Sequence, residues 1–526
     1  MLLFPVCRLN RHLRMKPTIV CFSHLCNSSY ITGAEKLLLF LLCELSPRYN
    51  CVLVVPQEGI LAREAWEAGI AYRVQPCPLL YAMVHPTPSL DTELEGLRQH
   101  AEYGAVVRLL QDIKPDYVLT NTSVHVVPAL AAKSLDIPIL WQITEVISDN
   151  AFTSKAAAIV HSFADIVIGI SRTTLYPLPH AALPQGPFPP HYVLPPSWHM
   201  TALEPLTWQH HRLEKRTAFG LSDREILIGY ISSSINRNKG LEHFVVMALQ
   251  LCAIDERVRF VILGDPVDAS YMEHCLHMID QSPYAGRFHH IRFESAVQRV
   301  YPAMDIVVIP SLVPEGFGMT ALEGLIFGKP VVVYRAGGLA EIAEATGNTA
   351  FAAEPGNVAH MTEIVTRLLH QPEEMRRVGE SNARTVEQVY GIEQCRSRLH
   401  HLFVQLVMAQ PGLFYAIKGS TDDVFIREGT VYRRVSSPRQ LRSLGVRAVR
   451  RVADEVFHDL PQGDPLPRRR KVRRKLKRHL RGKLRKKRRF SRKLTIRVKK
   501  RKRGFKQSVR VQQSRRRHRL RVRVRR

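Results

Sequence analysis

Short apolar runs of four to six residues recur along the chain, separated by longer stretches whose apolar positions follow a helical period. A run that is apolar on both faces predicts a strand buried between layers, and alternation with helical segments predicts a parallel α/β architecture. In the first half the predicted strands are Thr18 to Phe22, Val52 to Val55, Tyr117 to Thr120, Ile139 to Gln142 and Ile166 to Ile170. In the second half they are Ile226 to Ile231, Arg259 to Leu263, Ile306 to Ile309 and Val331 to Tyr334. Between the halves lie prolines at 177, 179, 184, 187, 189, 190, 195, 196 and 205, a density that predicts neither regular helix nor an interior strand. The boundary placed there divides residues 1–195 from residues 196–411. Two doubly wound domains joined in this way turn the carboxyl ends of both sheets toward one cleft, the usual ligand position in open parallel sheets. A helical pattern from Ile392 to Met408 ends the second domain and is placed to cross back to the first. Residues 412–467 follow as a small α+β module. It has strand-like Val424 to Ile426 and Val431 to Arg434, then an amphipathic stretch through Val446, Val449, Val452 and Val456.

Charge divides the chain again. The formal net charge of +30 would ordinarily point to nucleic acid or another polyanion. Residues 468–526 hold 34 of the 76 Lys and Arg residues and no acid, so the rest carries 42 bases against all 46 acids, a net of −4. The body is a mildly acidic globule, and the basic tail, with too few apolar residues to offset its self-repulsion, is expected to be disordered. Only Phe490 and Phe505 are aromatic in it, so base stacking is nearly absent and sequence-specific nucleic-acid binding is not expected. Anionic lipid headgroups or another polyanion are the expected partners. The nine cysteines are scattered and never spaced C-x-x-C, which argues against a disulfide framework or a zinc site and fits a reducing cytoplasm. Met1 to Val6 is too short for a secretory h-region, and Arg8, Arg11, Arg14 and Lys16 follow it rather than precede it. The longest apolar run, Leu37 to Cys43, is far below the roughly 20 residues needed to span a bilayer.

The candidate chemistry concentrates between Asp305 and Glu341. A buried strand stops at Pro310 and Ser311, a loop carries Glu315 and Gly316, and a helix starts near Gly318. Glycines at 316 and 318 permit close backbone approach, and the unpaired N–H groups of the first helical turn suit a phosphate or sugar oxygen. Glu323 lies eight residues beyond Glu315, so one carboxylate sits at the loop and one on the helix behind it. The pair can serve different hydroxyls of one extended polyol, or can be a helix-dipole partner and a solvated helix glutamate.

Pro310, Ser311, Glu315, Gly316, Phe317, Gly318, Leu322, Glu323, Gly328, Pro330 and Val331 together resemble the signature of the family 4 retaining glycosyltransferases, in which two glutamates are separated by seven residues. The resemblance covers roughly residues 17 to 400. It implies a GT-B fold, with Glu323 on the ribose of a nucleotide-sugar donor, Glu315 at the donor sugar, and the backbone of Phe317, Gly318, Met319 and Thr320 near the sugar and diphosphate. Ile226 to Glu242 resembles the family's phosphate-binding segment: Lys239 and Gly240 match, Ser234 stands where the family has arginine, and Arg237 is the nearest substitute. Gly264 matches a glycine that ends a strand at the cleft. Thr32, Gly33, Ala34 and Glu35 resemble the family's glycine-rich turn, with Thr32 replacing the first glycine. Asn121, Thr122, Ser123, Pro138, Trp141 and Glu145 resemble a further acceptor-side segment, where Thr144 replaces a frequent histidine and removes a group able to titrate near neutrality. Glu145 is either an acceptor-side carboxylate or a structural partner. The module at 412–467 loosely resembles a short unit appended to some bacterial surface and cell-wall proteins, and is either a recognition unit or a packing domain.

The resemblance implies retaining, metal-independent transfer of a sugar from a nucleotide-diphosphate donor to a glycan, lipid-linked or protein acceptor. Glu315 and Lys239 are central, no cofactor beyond the donor co-substrate is expected, and no metal ligands are assigned. The expected setting is the cytoplasm, peripheral to the inner face of the membrane, in envelope or surface polysaccharide synthesis. The alternatives are a nucleic-acid- or polyanion-binding protein with an inactive GT-B body, and a sugar phosphorylase or synthase on the same fold.

Overall fold

The computed structural model describes residues 16–180 and 188–466, apart from 293, 295, 410–414, 429, 445 and 447, together with 510–512 and 521–523. In the first domain the strands are β1 (Thr18–Phe22), β2 (Asn50–Val55), β3 (Ala71–Val74), β4 (Tyr117–Asn121), β5 (Ile139–Ile143), β6 (Ile166–Gly169) and β7 (His191–Val193). They form one sheet in the order β3-β2-β1-β4-β5-β6-β7, and every neighbouring pair is parallel. Alternate side chains enter two apolar layers: Ile19 and Cys21 pack with the helix Gly33–Leu45 on one face, Val20 and Phe22 with the helices Val126–Ser134 and Thr153–Phe163 on the other. Burial on both faces is why these strands read as continuous apolar runs.

β3 escaped the sequence reading because it is a short, largely exposed edge strand interrupted by Arg73. β7 escaped because it lies inside the proline-rich connection; it occupies the other edge, where no interior ladder is demanded of its neighbours. That connection also contains a helical turn, Pro177–His180, contrary to the expectation of no regular helix there. Pro177 stands at its first position, where a missing N–H costs nothing.

The second domain holds β8 (Ile226–Ile235), β9 (Val258–Pro266), β10 (Phe288–Ile291), β11 (Ile306–Ile309), β12 (Val331–Tyr334) and β13 (Ala352–Ala353), all parallel in the order β10-β9-β8-β11-β12-β13. Strand order reverses between β1 and β4 in one sheet and between β8 and β11 in the other, which defines a switch point in each. Asp305 ties the second together from below, accepting from Leu227 N–H at 2.8 Å, Arg212 at 2.8 Å and the buried Arg216 at 3.0 Å.

The helix Ile392–Ala409 returns to the first domain, placing Leu402, Phe403 and Leu406 in the layer that contains Leu38 and Leu42. A third sheet follows, β14 (Tyr415–Lys418), β15 (Val424–Glu428), β16 (Val431–Val435), β17 (Ala448–Arg451) and β18 (Gln462–Gly463), in the order β17-β14-β15-β16-β18. Where one amphipathic stretch was expected, Val449 lies on β17 and Val456 on a separate short helix, Asp454–His458; β14 offers an edge that β17 pairs. The third sheet is built onto the first domain: Ile417, Tyr432, Val452 and Val456 share its core layer, and Asp116 accepts from both Thr18 N–H and Arg451 N–H at 2.9 Å. In the basic tail β19 (Arg510–Gln512) pairs antiparallel with β20 (Arg521–Arg523); the disorder expected of 468–526 otherwise concerns residues outside those described.

Candidate active site

The two switch points face each other, and the loops leaving β8 and β11 are knitted before any side chain is considered. After β8 the turn Arg237–Lys239 ends in Gly240, whose φ of 68° and packing leave no room for a side chain: a Cβ there would lie 2.0 Å from the Pro310 carbonyl oxygen. Leu312 N–H donates to the Asn238 carbonyl at 2.8 Å. The loop bearing Glu315 is clamped from β12, with Glu315 N–H donating to Ala336 O at 3.2 Å and Gly338 N–H to Glu315 O at 2.8 Å. Gly337 makes this possible, since at φ 60° a Cβ would stand 2.6 Å from Glu315 O.

On this scaffold Lys239 Nζ reaches Glu315 Oε1 at 2.6 Å, and Ser311 Oγ donates to the same oxygen at 2.5 Å. The helix Met319–Ile326 begins immediately after, with Gly318 at φ 113° as its N-cap, so its free N–H groups open beside the cluster. Glu323 accepts from the Tyr301 hydroxyl at 2.7 Å. Burial pushes the Glu323 carboxyl up, opposed by the Tyr301 hydrogen bond and by Lys36 from the facing domain. Phe317 turns its ring into the core, edge-on to Tyr390 at 5.5 Å, so its backbone is what the loop presents. Met319 is exposed, and the Thr320 carbonyl accepts from Tyr301 at 3.1 Å.

Gly264, near the end of β9, has φ 141° and would place a Cβ 1.8 Å from Ser232 O, so only glycine fits. Ser234 pairs in register with Asp265, and its carbonyl accepts from Asn236 at 3.2 Å. Arg237 does not join Lys239 at Glu315; its guanidinium lies 5.1 Å over the Tyr271 ring.

In the first domain Thr32 and Glu35 form a capping box: Glu35 N–H donates to Thr32 Oγ1 at 3.3 Å, and Thr32 N–H donates to Glu35 Oε2 at 2.8 Å. Glu35 is therefore fully buried, while Gly33 faces open space. Asn121 donates to Ala34 O at 3.4 Å. Glu145 Oε2 accepts from Ser123 N–H at 2.9 Å and Ser123 Oγ at 3.0 Å, a contact within the first domain. The Thr144 carbonyl packs against Gly316, where a Cβ would approach it to 2.5 Å.

The domains also clasp each other beside the site. Ser171 Oγ donates to Gly316 O at 2.5 Å, and Glu341 caps the turn Arg172–Leu175, accepting from Arg172 N–H at 2.9 Å and Thr173 N–H at 2.6 Å. Arg172 pairs with Glu344 at 2.5 Å. Sequence reasoning assigned no role to Tyr301, Gly337, Lys36 or Glu341. Gly337 lies within the stretch singled out, and the glycine pair at 337 and 338 was a usable signal. Tyr301, 22 positions before its partner Glu323, carried none. Among the described residues His210, His211 and Glu214 could together hold a metal ion, on the helix Trp208–Ala218, outside every loop of the cleft.

Facing parallel sheets with opposed switch points, a clamped carboxylate loop and a returning C-terminal helix define a GT-B fold. Residues 212–385 match the family model described as glycosyl transferases group 1. The Anabaena protein HepE, solved in complex with UDP, superposes with a TM-score of 0.61 at 19% identity, covering 74% of this chain and 100% of that one. Among curated proteins, an MMP alpha-(1->4)-mannosyltransferase of Mycolicibacterium hassiacum is 37% identical over 86 residues, 16% of this chain and 21% of its own. A 2-deoxystreptamine glucosyltransferase of Streptomyces kanamyceticus is 30% identical over 164 residues, 31% of this chain and 40% of its own. The chain thus spans less than half the length of these curated relatives.

Proposed function

We propose that this protein is a retaining glycosyltransferase that moves a sugar from a nucleotide-diphosphate donor to a hydroxyl of a glycan, lipid-linked or protein acceptor. The observation that carries the proposal is the convergence of Lys239 and Ser311 on one oxygen of Glu315, at the open start of the helix Met319–Ile326. A cation and free backbone N–H groups side by side suit a departing diphosphate, and a carboxylate next to them suits the hydroxyls of the sugar being released. As the bond from the anomeric carbon to the phosphate oxygen breaks, negative charge grows on the nucleoside diphosphate and is stabilised by Lys239 and the helix start. The acceptor hydroxyl forms the new bond on the same face and passes its proton to that leaving oxygen, so no separate base is needed. Glu315 orients the sugar and Glu323 the ribose, and no step calls for a metal ion.

The group 1 match over the donor half and the UDP held by HepE support a nucleotide-sugar donor. The mannosyl- and glucosyltransferase relatives support a hexose as the transferred unit. No helix among the described residues is long and apolar enough to cross a membrane. We place the protein in the cytoplasm, with residues 468–526 drawing it to anionic surfaces where an envelope acceptor would lie. Hydrolysis and transfer measured across a panel of nucleotide sugars test the reading: at least one donor is consumed, and Glu315→Ala or Lys239→Ala lowers the rate by about 100-fold or more. A wild type that consumes no donor in the panel sinks it. Removal of 468–526 is expected to abolish binding to anionic vesicles and leave donor consumption intact.

A further inference from the structure

Outside the cleft, the helix Trp208–Ala218 carries three ligating side chains that sugar transfer does not use: His210, His211 and Glu214. Helical geometry gathers them. At about 100° per residue, Glu214 stands one turn beyond the two histidines and between them around the helix axis. One nitrogen of each imidazole and one carboxylate oxygen lie within 4.8 Å of one another. His211 Nδ1 is 3.4 Å from Glu214 Oε2, and the two rings are 5.6 Å apart at 55°. A separation of 3.4 Å is long for a hydrogen bond, whose usual length is about 2.9 Å. It is the right length for an edge of a metal site: bonds of about 2.0–2.2 Å to a tetrahedral zinc ion put neighbouring ligand atoms about 3.3–3.6 Å apart. His210 and Glu214 are exposed, so a rotamer change closes the remaining edges at little cost.

The opposite face of the same helix is fixed to the body. Arg212 donates to Pro302 O at 2.9 Å and to Asp305 at 2.8 Å. Arg216 donates to Ser222 O and Glu225 O, both at 2.7 Å, and to Asp305 at 3.0 Å. The Trp208 ring packs on Phe327 at 4.4 Å. The helix cannot roll, so the three ligands are held toward solvent on a backbone that binding need not order. Its start, by contrast, is weakly secured: Thr207 at the N-cap makes no side-chain hydrogen bond. An ion shared by His210, in the first turn, and Glu214, in the next, would tie that start down.

We infer that His210, His211 and Glu214 bind one divalent transition-metal ion of the zinc class, which staples the first two turns of the helix Trp208–Ala218. Two imidazoles and one carboxylate suit zinc, nickel or copper, whereas magnesium and calcium require sets made of oxygen. Three protein ligands leave the remaining positions to water. The ion takes no part in transfer, whose groups converge in the cleft. Its effect is on stability, because the stapled helix carries Arg212 and Arg216 to Asp305 at the foot of β11.

The test is calorimetric titration of the full chain with zinc and, separately, with magnesium, each paired with a melting curve. Other histidines and cysteines of the chain also take up zinc, so the readout is the difference between wild type and the variants His210→Asn, His211→Asn and Glu214→Gln. Wild type is expected to bind one equivalent of zinc that His210→Asn and His211→Asn each weaken by about tenfold or more, at least the loss that follows removal of an outer-shell partner. Glu214→Gln is expected to weaken it in the same direction. Saturating zinc should raise the melting temperature of wild type by about 2 °C or more beyond any rise in the variants. His210 and Glu214 face solvent, so their variants should melt as wild type does without metal and carry the test even if His211→Asn, at a partly buried position, folds poorly. Zinc binding that is the same in wild type, His210→Asn and Glu214→Gln would overturn the inference. So would magnesium bound as tightly as zinc, or zinc bound at this site with no rise in melting temperature.

Discussion

At the scale of single residues, the site depends on what glycine omits as much as on what charged groups supply. Gly337→Ala would drive a methyl group into the Glu315 backbone and add left-handed strain, so the Glu315 loop must shift. The expected result is a loss of roughly 1–3 kcal/mol in unfolding stability, read by urea titration, with a fall in donor consumption larger than that stability loss explains. Glu323 gives a pH signature. Its carboxyl is raised by burial, so the folded state holds the proton more tightly than the unfolded chain. Its contribution to stability is therefore full below the ordinary glutamate value and is lost as pH rises through the folded one. Glu323→Gln keeps an oxygen for the Tyr301 hydroxyl and removes the ionisation. Thermal denaturation should show the variant matching wild type near pH 4 and exceeding it at pH 7; a variant less stable than wild type at pH 7 would refute the assignment.

At the scale of elements, the edge strand β7 is held by a contact that acid should loosen. His161 on the helix Thr153–Phe163 and His191 on β7 bring their Nε2 atoms to 2.9 Å with stacked rings. Burial lowers both, and with the neighbouring His191 it takes His161 to about 4. A histidine lowered in the fold contributes stability that is complete above about 6.5 and declines as pH falls toward the folded value. Amide exchange at Tyr192 and Val193, corrected for intrinsic rates, should quicken between pH 7 and pH 5, and His191→Phe should remove that dependence. The strand β11 poses the opposite case. Asp305 holds two arginines and one strand N–H, and Arg216 is only 3% exposed. Asp305→Asn leaves that guanidinium without its counter-charge, and an unfolding loss of about 3–5 kcal/mol is expected by denaturant titration.

At the scale of the whole molecule, residues 415–466 pack against the first domain. Asp116 depends on Arg451 N–H, the Tyr117 hydroxyl donates to Arg451 O at 3.3 Å, and Arg450 reaches the Asp136 carbonyl. Truncation after residue 409 should therefore yield an insoluble or markedly destabilised chain, whereas truncation after 467 should leave the melting temperature unchanged. Equal melting temperatures for the two truncations would show the module to be a separate unit. The clasp through Glu341 is the other whole-molecule contact: Glu341→Ala releases Arg172 and Thr173, and small-angle scattering should then report a larger radius of gyration.

The sequence by itself determined the strands buried on both faces, because a run that must be apolar on both sides admits few other residue types. Thr18–Phe22, Ile306–Ile309 and Val331–Tyr334 were legible to the residue. It also determined the local part of the site, since the strand, loop and helix carrying Ser311, Glu315, Gly318 and Glu323 are contiguous and each residue type answers a local demand. Edge strands such as β3, β7 and β10 were not legible, because pairing on one side leaves their composition free. What only the tertiary structure decided are the long-range partnerships. These are Lys239 with Glu315, Tyr301 with Glu323, and Ser171 with Gly316. A hydrogen bond between residues far apart in the chain leaves no periodicity or spacing behind, so it becomes visible only when the sheets bring both ends to one place.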